Sequence, residues 1–321
     1  MIETTATRLQ PTFSDPDAVL ALIRSAGPFW PLVNYAGNDA EMAALGSKPP
    51  TFVPPWFRQD FVRDGVPAVD GAELILDNPE FLSAAQKVYG ENVIVKPTNV
   101  YVNIMGPTPF PFIPHTDVPA FRGFTRANQP IWFLKLMRNS GLFEEWRTKI
   151  ATAVSWFYQG EGGDFHYWPD GADGAECVES PPFKNVSVVA DNESTFHGVA
   201  PLGPKTAQMP EGVNSHSQLV RGDGAWNIID SDGNVISRIF DDEARITVSW
   251  KADIYGDETE EHAVMNAIDG LTIEKITEVF LADLQQRGID FPQENARLEN
   301  EEWVALLAAT YPELPPKMTL S

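Results

Sequence analysis

A single cysteine, Cys177, stands in 321 residues, which excludes an intramolecular disulfide and any cysteine-based zinc cluster. Basic residues are scarce as well: 23 Lys and Arg face 45 Asp and Glu, for a formal net charge of −22. A field of that sign repels polyanions, so nucleic acid and anionic membrane surfaces are poor partners. Solubility accounts for such a charge, and a cationic substrate would be compatible with it. No window approaches 18 uninterrupted apolar residues, so no membrane-spanning helix is expected. Met1 to Phe13 lacks the basic and apolar runs of a secretory signal, and the expected location is the cytoplasm. Internal repeats and low-complexity tracts are absent. Histidine is rare too, at five residues, so a search for metal ligands is short.

What is present is ample core material, 43% hydrophobic residues with 9 Trp and 19 Phe. Residues 1–91 read as a helical and irregular extension. Asp15-Pro16-Asp17 starts a helix running to Arg24, and Asn78-Pro79-Glu80 starts another that Gly90 ends near Tyr89. Lys48 to Trp56, crowded with proline, reads as irregular. From Asn92 the texture becomes β-like, with strand-type runs at Val100–Ile104, Ile131–Met137, Ala151–Tyr158, Asn185–Ala190, Ser194–Ala200 and Arg245–Ala252. Glu144–Ile150 reads as a short helical interruption. Gly222-Asp223-Gly224 and Asp232-Gly233-Asn234 mark the turns of a hairpin or small meander. Helical patterns return at Thr272–Gln286 and Asn300–Thr310. The expected architecture is mainly β with flanking helices: a sandwich or barrel over 92–255, interrupted by an insertion at about 202–240, then a helical extension over 256–321.

His115-Thr116-Asp117 is the stretch that carries chemistry. A His and a carboxylate two residues apart on an extended segment face the same way and can supply two ligands to one metal ion. A second His from a distant strand completes the 2-His-1-carboxylate facial triad, which leaves coordination positions open and marks non-haem Fe(II) oxygenases. His197, 80 residues beyond Asp117 in the strand-like Ser194–Ala200 run, is the best third ligand. His166 competes, but no Arg or Lys follows it within fifteen residues to hold an anionic co-substrate. His216 sits in a polar loop and His262 in an acidic helix-like segment.

With these residues in view, the chain resembles the Fe(II)/2-oxoglutarate-dependent dioxygenases, built on a double-stranded β-helix, or jelly roll. The resemblance covers roughly residues 92–255 and rests on four ordered elements. His115-Thr116-Asp117 matches the family's HxD. Gly162-Gly163-Asp164-Phe165 with Trp168 looks like the Gly-Gly-x-Phe/Leu strand of prolyl-hydroxylase-like members. His197-Gly198-Val199 with Pro201 matches their H-x-V-x-P, and Arg245 to Trp250 looks like the closing strand, whose Arg grips the distal carboxylate of 2-oxoglutarate. Arg245 follows His197 by 48 residues, against ten to fifteen usual in the family. Arg221 and Lys205 are nearer alternatives in loop-like contexts, and Arg245 is preferred.

The resemblance implies Fe(II), held by His115, Asp117 and His197, with 2-oxoglutarate and O₂ as co-substrates. Arg suits the distal carboxylate as a bidentate donor that stays charged, and Thr247 and Ser249 share its strand face. Tyr101 and Asn103 alternate along the strand before HxD and are further candidates to contact 2-oxoglutarate. Trp132, Trp156, Tyr158, Phe165 and Trp168 read as core or barrel lining, and Arg122 and Arg126 as solvated loop cations or binders of an anionic substrate. The implied activity is hydroxylation of a small molecule such as an amino acid derivative or secondary metabolite, with desaturation and ring formation using the same iron site. Asp117 argues against the halogenase variant, which has a small residue there. Two alternatives stay open: a peptide or protein hydroxylase of the same superfamily, and a cupin-like metal-binding protein, although cupins carry an HxH that is missing here.

Overall fold

The computed structural model describes residues 6–35 and 53–320. Before residue 91 it holds strands β1 (Ala6–Leu9), β2 (Trp30–Pro31), β3 (Trp56–Arg63) and β4 (Val66–Pro67), with helices α1 (Pro16–Ser25), α2 (Glu73–Leu76) and α3 (Pro79–Tyr89). Both expected helices start at their caps: Asp15 accepts from the Ala18 N–H and Asn78 from the Glu80 N–H, each followed by proline in the first turn. The extension is nonetheless less helical and irregular than its sequence suggests, because β1 and β3 join the main sheet. β3 follows Pro54-Pro55, whose punctuation masks its alternation; Phe57 and Phe61 are buried in the core. The irregular reading of 48–52 lies outside the described residues.

The barrel comprises β5 (Ile94–Met105), β6 (Phe112–His115), β7 (Ala120–Phe121), β8 (Arg147–Phe157), β9 (Phe165–Trp168), β10 (Cys177–Glu179), β11 (Ser187–Ala190) and β12 (Phe196–Val199). β13 (Gln218–Arg221), β14 (Ala225–Ile229) and β15 (Val235–Phe240) follow as a three-stranded antiparallel meander, and β16 (Arg245–Tyr255) closes the structure. The large sheet runs β1-β11-β8-β16-β5-β3-β2 and the small sheet β10-β9-β12-β6. Eight of these strands are shared between the sheets in the order of a jelly roll, the chain changing sheet at every step except from β9 to β10: β5, β8, β11 and β16 lie in one, β6, β9, β10 and β12 in the other.

β16 shows how the sequence builds two layers at once. Its even-numbered residues Ile246, Val248, Trp250, Ala252 and Ile254 are buried in a core shared with α1, α2 and α3. Phe81 of α3 packs on Trp250 at 5.4 Å between ring centroids, and the Trp250 indole N–H donates to the Leu76 carbonyl at 2.9 Å. Its odd-numbered residues Arg245, Thr247 and Ser249 line the space between the sheets, closed by Trp156, Phe165 and Val199. Period-two alternation thus assigns apolar residues to one face and polar ones to the other.

One strand expectation fails. Ile131–Met137 belongs to helix α4 (Ile131–Ser140), which starts after Pro130 and ends at Gly141 in the left-handed conformation. Its β-type composition misleads, but the buried residues Phe133, Leu134, Leu136 and Met137 follow helical spacing. Glu144–Trp146 forms one 3₁₀ turn, and β8 begins immediately at Arg147 instead of after Ile150. Helices α5 (Glu258–Met265), α6 (Ile273–Gln286) and α7 (Glu301–Thr310) follow the barrel. α6 and α7 bury Phe280, Leu284, Trp303 and Leu307 against α4 in a separate apolar cluster. Thr272 and Asn300 cap them.

Candidate active site

Three potential metal ligands converge at one edge of the small sheet. β12 pairs with β6 so that His197 lies directly opposite His115, and their ring centroids are 4.5 Å apart. Asp117 sits two residues past His115, where its N–H donates to the Asn192 carbonyl at 2.8 Å. One ligand atom from each of His115, Asp117 and His197 lies within 4.8 Å of the others, and His197 Nε2 is 3.8 Å from Asp117 Oδ1. His115 Nδ1 lies 2.9 Å from the Ile113 carbonyl and His197 Nδ1 3.0 Å from the Thr195 carbonyl. A carbonyl only accepts, so Nδ1 of each ring carries the proton and Nε2 keeps its lone pair for a cation.

The electrostatics suit the same purpose. Burial, with His197 adjacent, pulls the His115 imidazole down to about 3, and burial lowers His197 as well. Both rings are therefore neutral at physiological pH. Burial alone would raise the Asp117 carboxyl, but the ammonium of Lys251 overrides it and holds the group well below its usual range. Lys251 Nζ donates to Asp117 Oδ2 at 2.7 Å, which leaves Oδ1 on the side of His197. Two neutral nitrogens and one carboxylate oxygen form a mixed donor set of the kind that binds Fe(II) at a facial triad.

On the large sheet, a polar stripe faces these ligands. In register, Thr247 pairs with Asn103 and Ser249 with Tyr101 across β16 and β5. All four line a chamber of about 190 Å³ together with Arg245, His115, Asp117 and His197. The sequence-selected site residues are thus brought together in one cavity. Arg245 is only 1% exposed; its Nε donates to the Gly163 carbonyl at 2.8 Å and Nη1 to Thr247 Oγ at 2.8 Å. Nη2 is buried with no hydrogen-bond partner, and burial draws the guanidinium down to about 9. The Asn103 amide oxygen is likewise buried and unpartnered. A buried cation with a free donor, lacking a bonded carboxylate, is complementary to an anion of matching size.

The Gly162-Gly163 pair explains itself beside this arginine. Both residues have positive φ, +69° and +75°. A Cβ on Gly163 would stand 3.0 Å from Arg245 Cδ and 2.6 Å from Leu202 Cδ1, and one on Gly162 would meet the Pro201 carbonyl at 2.4 Å. The turn both presents a carbonyl to Arg245 and clears room for it.

Arg221 lies elsewhere, on β13, where its guanidinium is paired with Asp241 and stacks over Trp226 at 5.2 Å. His166 points away from the chamber and pairs with Glu176 at 2.8 Å. Trp132, read as core or lining, is instead 42% exposed on α4, whereas Trp156 and Phe165 do line the chamber and Tyr158 and Trp168 are buried. Arg122 donates to the Glu145 carbonyl and Arg126 to the Tyr35 carbonyl.

Two participants escaped the sequence reading. Lys251 continues the alternation of Arg245, Thr247 and Ser249 by one more step, so extending that pattern would have found it. Arg58 on β3 pairs in register with Asn103, stacks 3.7 Å over the Tyr101 ring and lines the chamber; the prolines before β3 concealed it.

No protein-family model and no curated protein matches this chain. Among solved structures, the likeness is to 2OG-Fe(II) oxygenases. One is an oxidoreductase of that family from Burkholderia pseudomallei, 9% identical, covering 78% of this chain and 84% of its own, with a TM-score of 0.40. A prolyl-4-hydroxylase from Pseudomonas putida is 12% identical over 78% of this chain and 92% of its own, with a TM-score of 0.36. A Trichoplax adhaerens prolyl hydroxylase, in complex with a hypoxia inducible factor peptide fragment, is 12% identical over 81% and 86%, with a TM-score of 0.40. At these scores the matches are a loose likeness of chain path.

Proposed function

We propose that the protein is an Fe(II)- and 2-oxoglutarate-dependent oxygenase that oxidises a small molecule, with hydroxylation as the first reading and succinate and CO₂ as co-products. His115, Asp117 and His197 would hold the iron, and Arg245 the distal carboxylate of 2-oxoglutarate. The observation that carries this reading is the unpartnered, buried Nη2 of Arg245 in the chamber that also contains the three ligands. When bound, iron and 2-oxoglutarate supply a two-electron oxidation driven by O₂ and decarboxylation.

The chain's own residues supply position. The Ile113 and Thr195 carbonyls orient the two imidazoles, and Lys251 fixes the carboxylate through the oxygen that the iron would not use. Thr247 holds the guanidinium edge, and Ser249, Tyr101 and Asn103 stand beside it as further polar contacts for 2-oxoglutarate. Trp156, Phe165 and Val199 limit water around the reacting centre. A cupin-like binding protein would have no need of a buried arginine with an unpartnered donor in the chamber of its metal ligands.

The test is succinate release with Fe(II), 2-oxoglutarate and a metabolite library. Stimulated turnover that disappears in Asp117→Ala supports the reading. Retained 2-oxoglutarate turnover in Arg245→Ala would sink the anchor assignment, and an absence of stimulated turnover throughout would count against the oxygenase.

A further inference from the structure

Outside the triad lies a second and much larger space. It has a volume of about 860 Å³ against about 190 Å³ for the inner chamber, and Trp56, Phe112, His115 and Asp117 line both. His115 and Asp117 therefore stand at a neck, with a small polar chamber that also holds His197 on one side and a broad one on the other. Leu32, Val33, Phe110, Val118 and Ile131 make the outer walls apolar. That volume suits a substrate considerably larger than a free amino acid.

Charge in the outer chamber runs opposite to that of the chain as a whole. Its cationic lining residues are Lys135 and Arg126, within a protein of formal charge −22. Among the described lining residues the one carboxylate is Asp117, already bonded to Lys251. Of the described carboxylates at this wall, Asp117 is bonded to Lys251 and Glu313 to Lys135.

The chain itself shows what Lys135 binds. Glu313, on the irregular segment after α7, places its carboxylate on Lys135 Nζ at 3.1 and 3.5 Å and accepts from Thr116 Oγ at 3.2 Å. Lys135 and Thr116 both line the outer chamber, so they form a carboxylate socket in its wall, adjacent to His115 and Asp117. One ammonium and one hydroxyl suit a carboxylate better than a phosphate dianion, which draws arginine clusters. Six residues on, the Thr319 N–H donates to the Glu176 carboxylate at 3.0 Å, so the segment has an anchor besides Glu313.

We propose that the outer chamber binds an apolar monocarboxylic acid, whose carboxylate replaces Glu313 on Lys135 and Thr116 while its apolar body lies against Trp56 and Phe112. This rests on the oxygenase reading for the reaction, but binding itself needs no metal. The acid group would fix which carbon faces the neck, and Glu313 would act as a competing internal carboxylate that keeps the socket filled until substrate arrives.

The experiment titrates the metal-free full chain with decanoate, 1-decanol and decylammonium, following tryptophan fluorescence. Decanoate is expected to bind more tightly than the other two. Lys135→Met should weaken decanoate by roughly three- to ten-fold, and Glu313→Gln should tighten it by a similar factor, with 1-decanol unmoved by either. Decylammonium binding as tightly as decanoate, decanoate indifferent to both variants, or no binding of any probe would each overturn the proposal. Separate titrations with Mn(II) and 2-oxoglutarate read the inner chamber, so a failure there counts against the oxygenase assignment and leaves the acid-binding result standing.

Discussion

The two sheets divide the chemistry unequally. The small sheet contributes the three candidate metal ligands through β6, its following turn and β12, and fixes the two imidazoles with backbone carbonyls. The large sheet contributes side chains from the middle of long paired strands, Tyr101 and Asn103 facing Ser249 and Thr247, with Arg245 beyond them. The small sheet thus supplies neutral nitrogens and one anion, and the large one supplies cations and hydroxyls. Lys251 is the link, a large-sheet cation bonded to the small-sheet carboxylate. The site exists only where the sheets face each other, and each sheet can be disabled separately.

Removing the small sheet's carboxylate should have the largest effect. Asp117→Ala is expected to weaken Mn(II) binding by more than about 100-fold, beyond what loss of an outer partner does. Because it strands the Lys251 ammonium, it should also cost the metal-free protein about 3–5 kcal/mol in chemical denaturation. A variant that kept its metal affinity would break the assignment of ligands to the small sheet.

Arg245→Met addresses the large sheet. Loss of a charge-assisted contact of about 1.5–3 kcal/mol should weaken 2-oxoglutarate by roughly 10- to 150-fold in calorimetry while Mn(II) affinity stays put. Stability should hold or rise, since the variant removes a buried cation that has no bonded carboxylate. Substantial destabilisation with unchanged 2-oxoglutarate affinity would make Arg245 a structural residue.

Lys251→Met tests the link between the sheets. Metal affinity is expected to fall about 10- to 100-fold as Asp117 loses the partner that orients it. A parallel loss of 2-oxoglutarate binding in the absence of metal would show that the two sheets are coupled more tightly than one ion pair implies.

The smallest effect concerns pH. The folded His115 is lowered from 6.5 to about 3, so between those values the unfolded chain takes up protons that the folded chain refuses. Stability from this residue is present above pH 6.5 and is lost as pH falls below it. In metal-free thermal melts, the wild type should lose more stability between pH 7.5 and pH 5 than His115→Gln does. Equal losses would mean that the ring is solvated.

The same division explains what could be read from the sequence. His115, Asp117 and His197 are near strand ends in motifs of fixed spacing, and capping residues announced α1 and α3 directly, while helical patterns announced α6 and α7. Arg245 came from the family resemblance and Thr247 and Ser249 from alternation with it, and stopping that alternation at Ser249 hid Lys251. Arg58 and β3 were concealed by Pro54-Pro55, and α4 by a composition that suits either period. Glu313 meets Thr116 across 197 residues, a juxtaposition that only the packing of α6 and α7 against α4 creates. Local signals reveal caps, turns and face assignments; they carry no information on which distant segment arrives beside them.

The place of β16 has a consequence for how the molecule comes into being. It is the last strand of the chain, yet it lies between β8 and β5 in the interior of the large sheet, separated from β12 by the β13–β15 meander. During synthesis β5 and β8 must therefore wait, each with an unpaired edge, until more than 240 residues have been made. Such non-local pairing is slow and leaves strand edges open to association with other chains. Arg245, Thr247, Ser249 and Lys251 all arrive on that one strand. Binding competence should therefore appear abruptly late in translation, when a single hairpin-delayed strand slots home and completes sheet and pocket together.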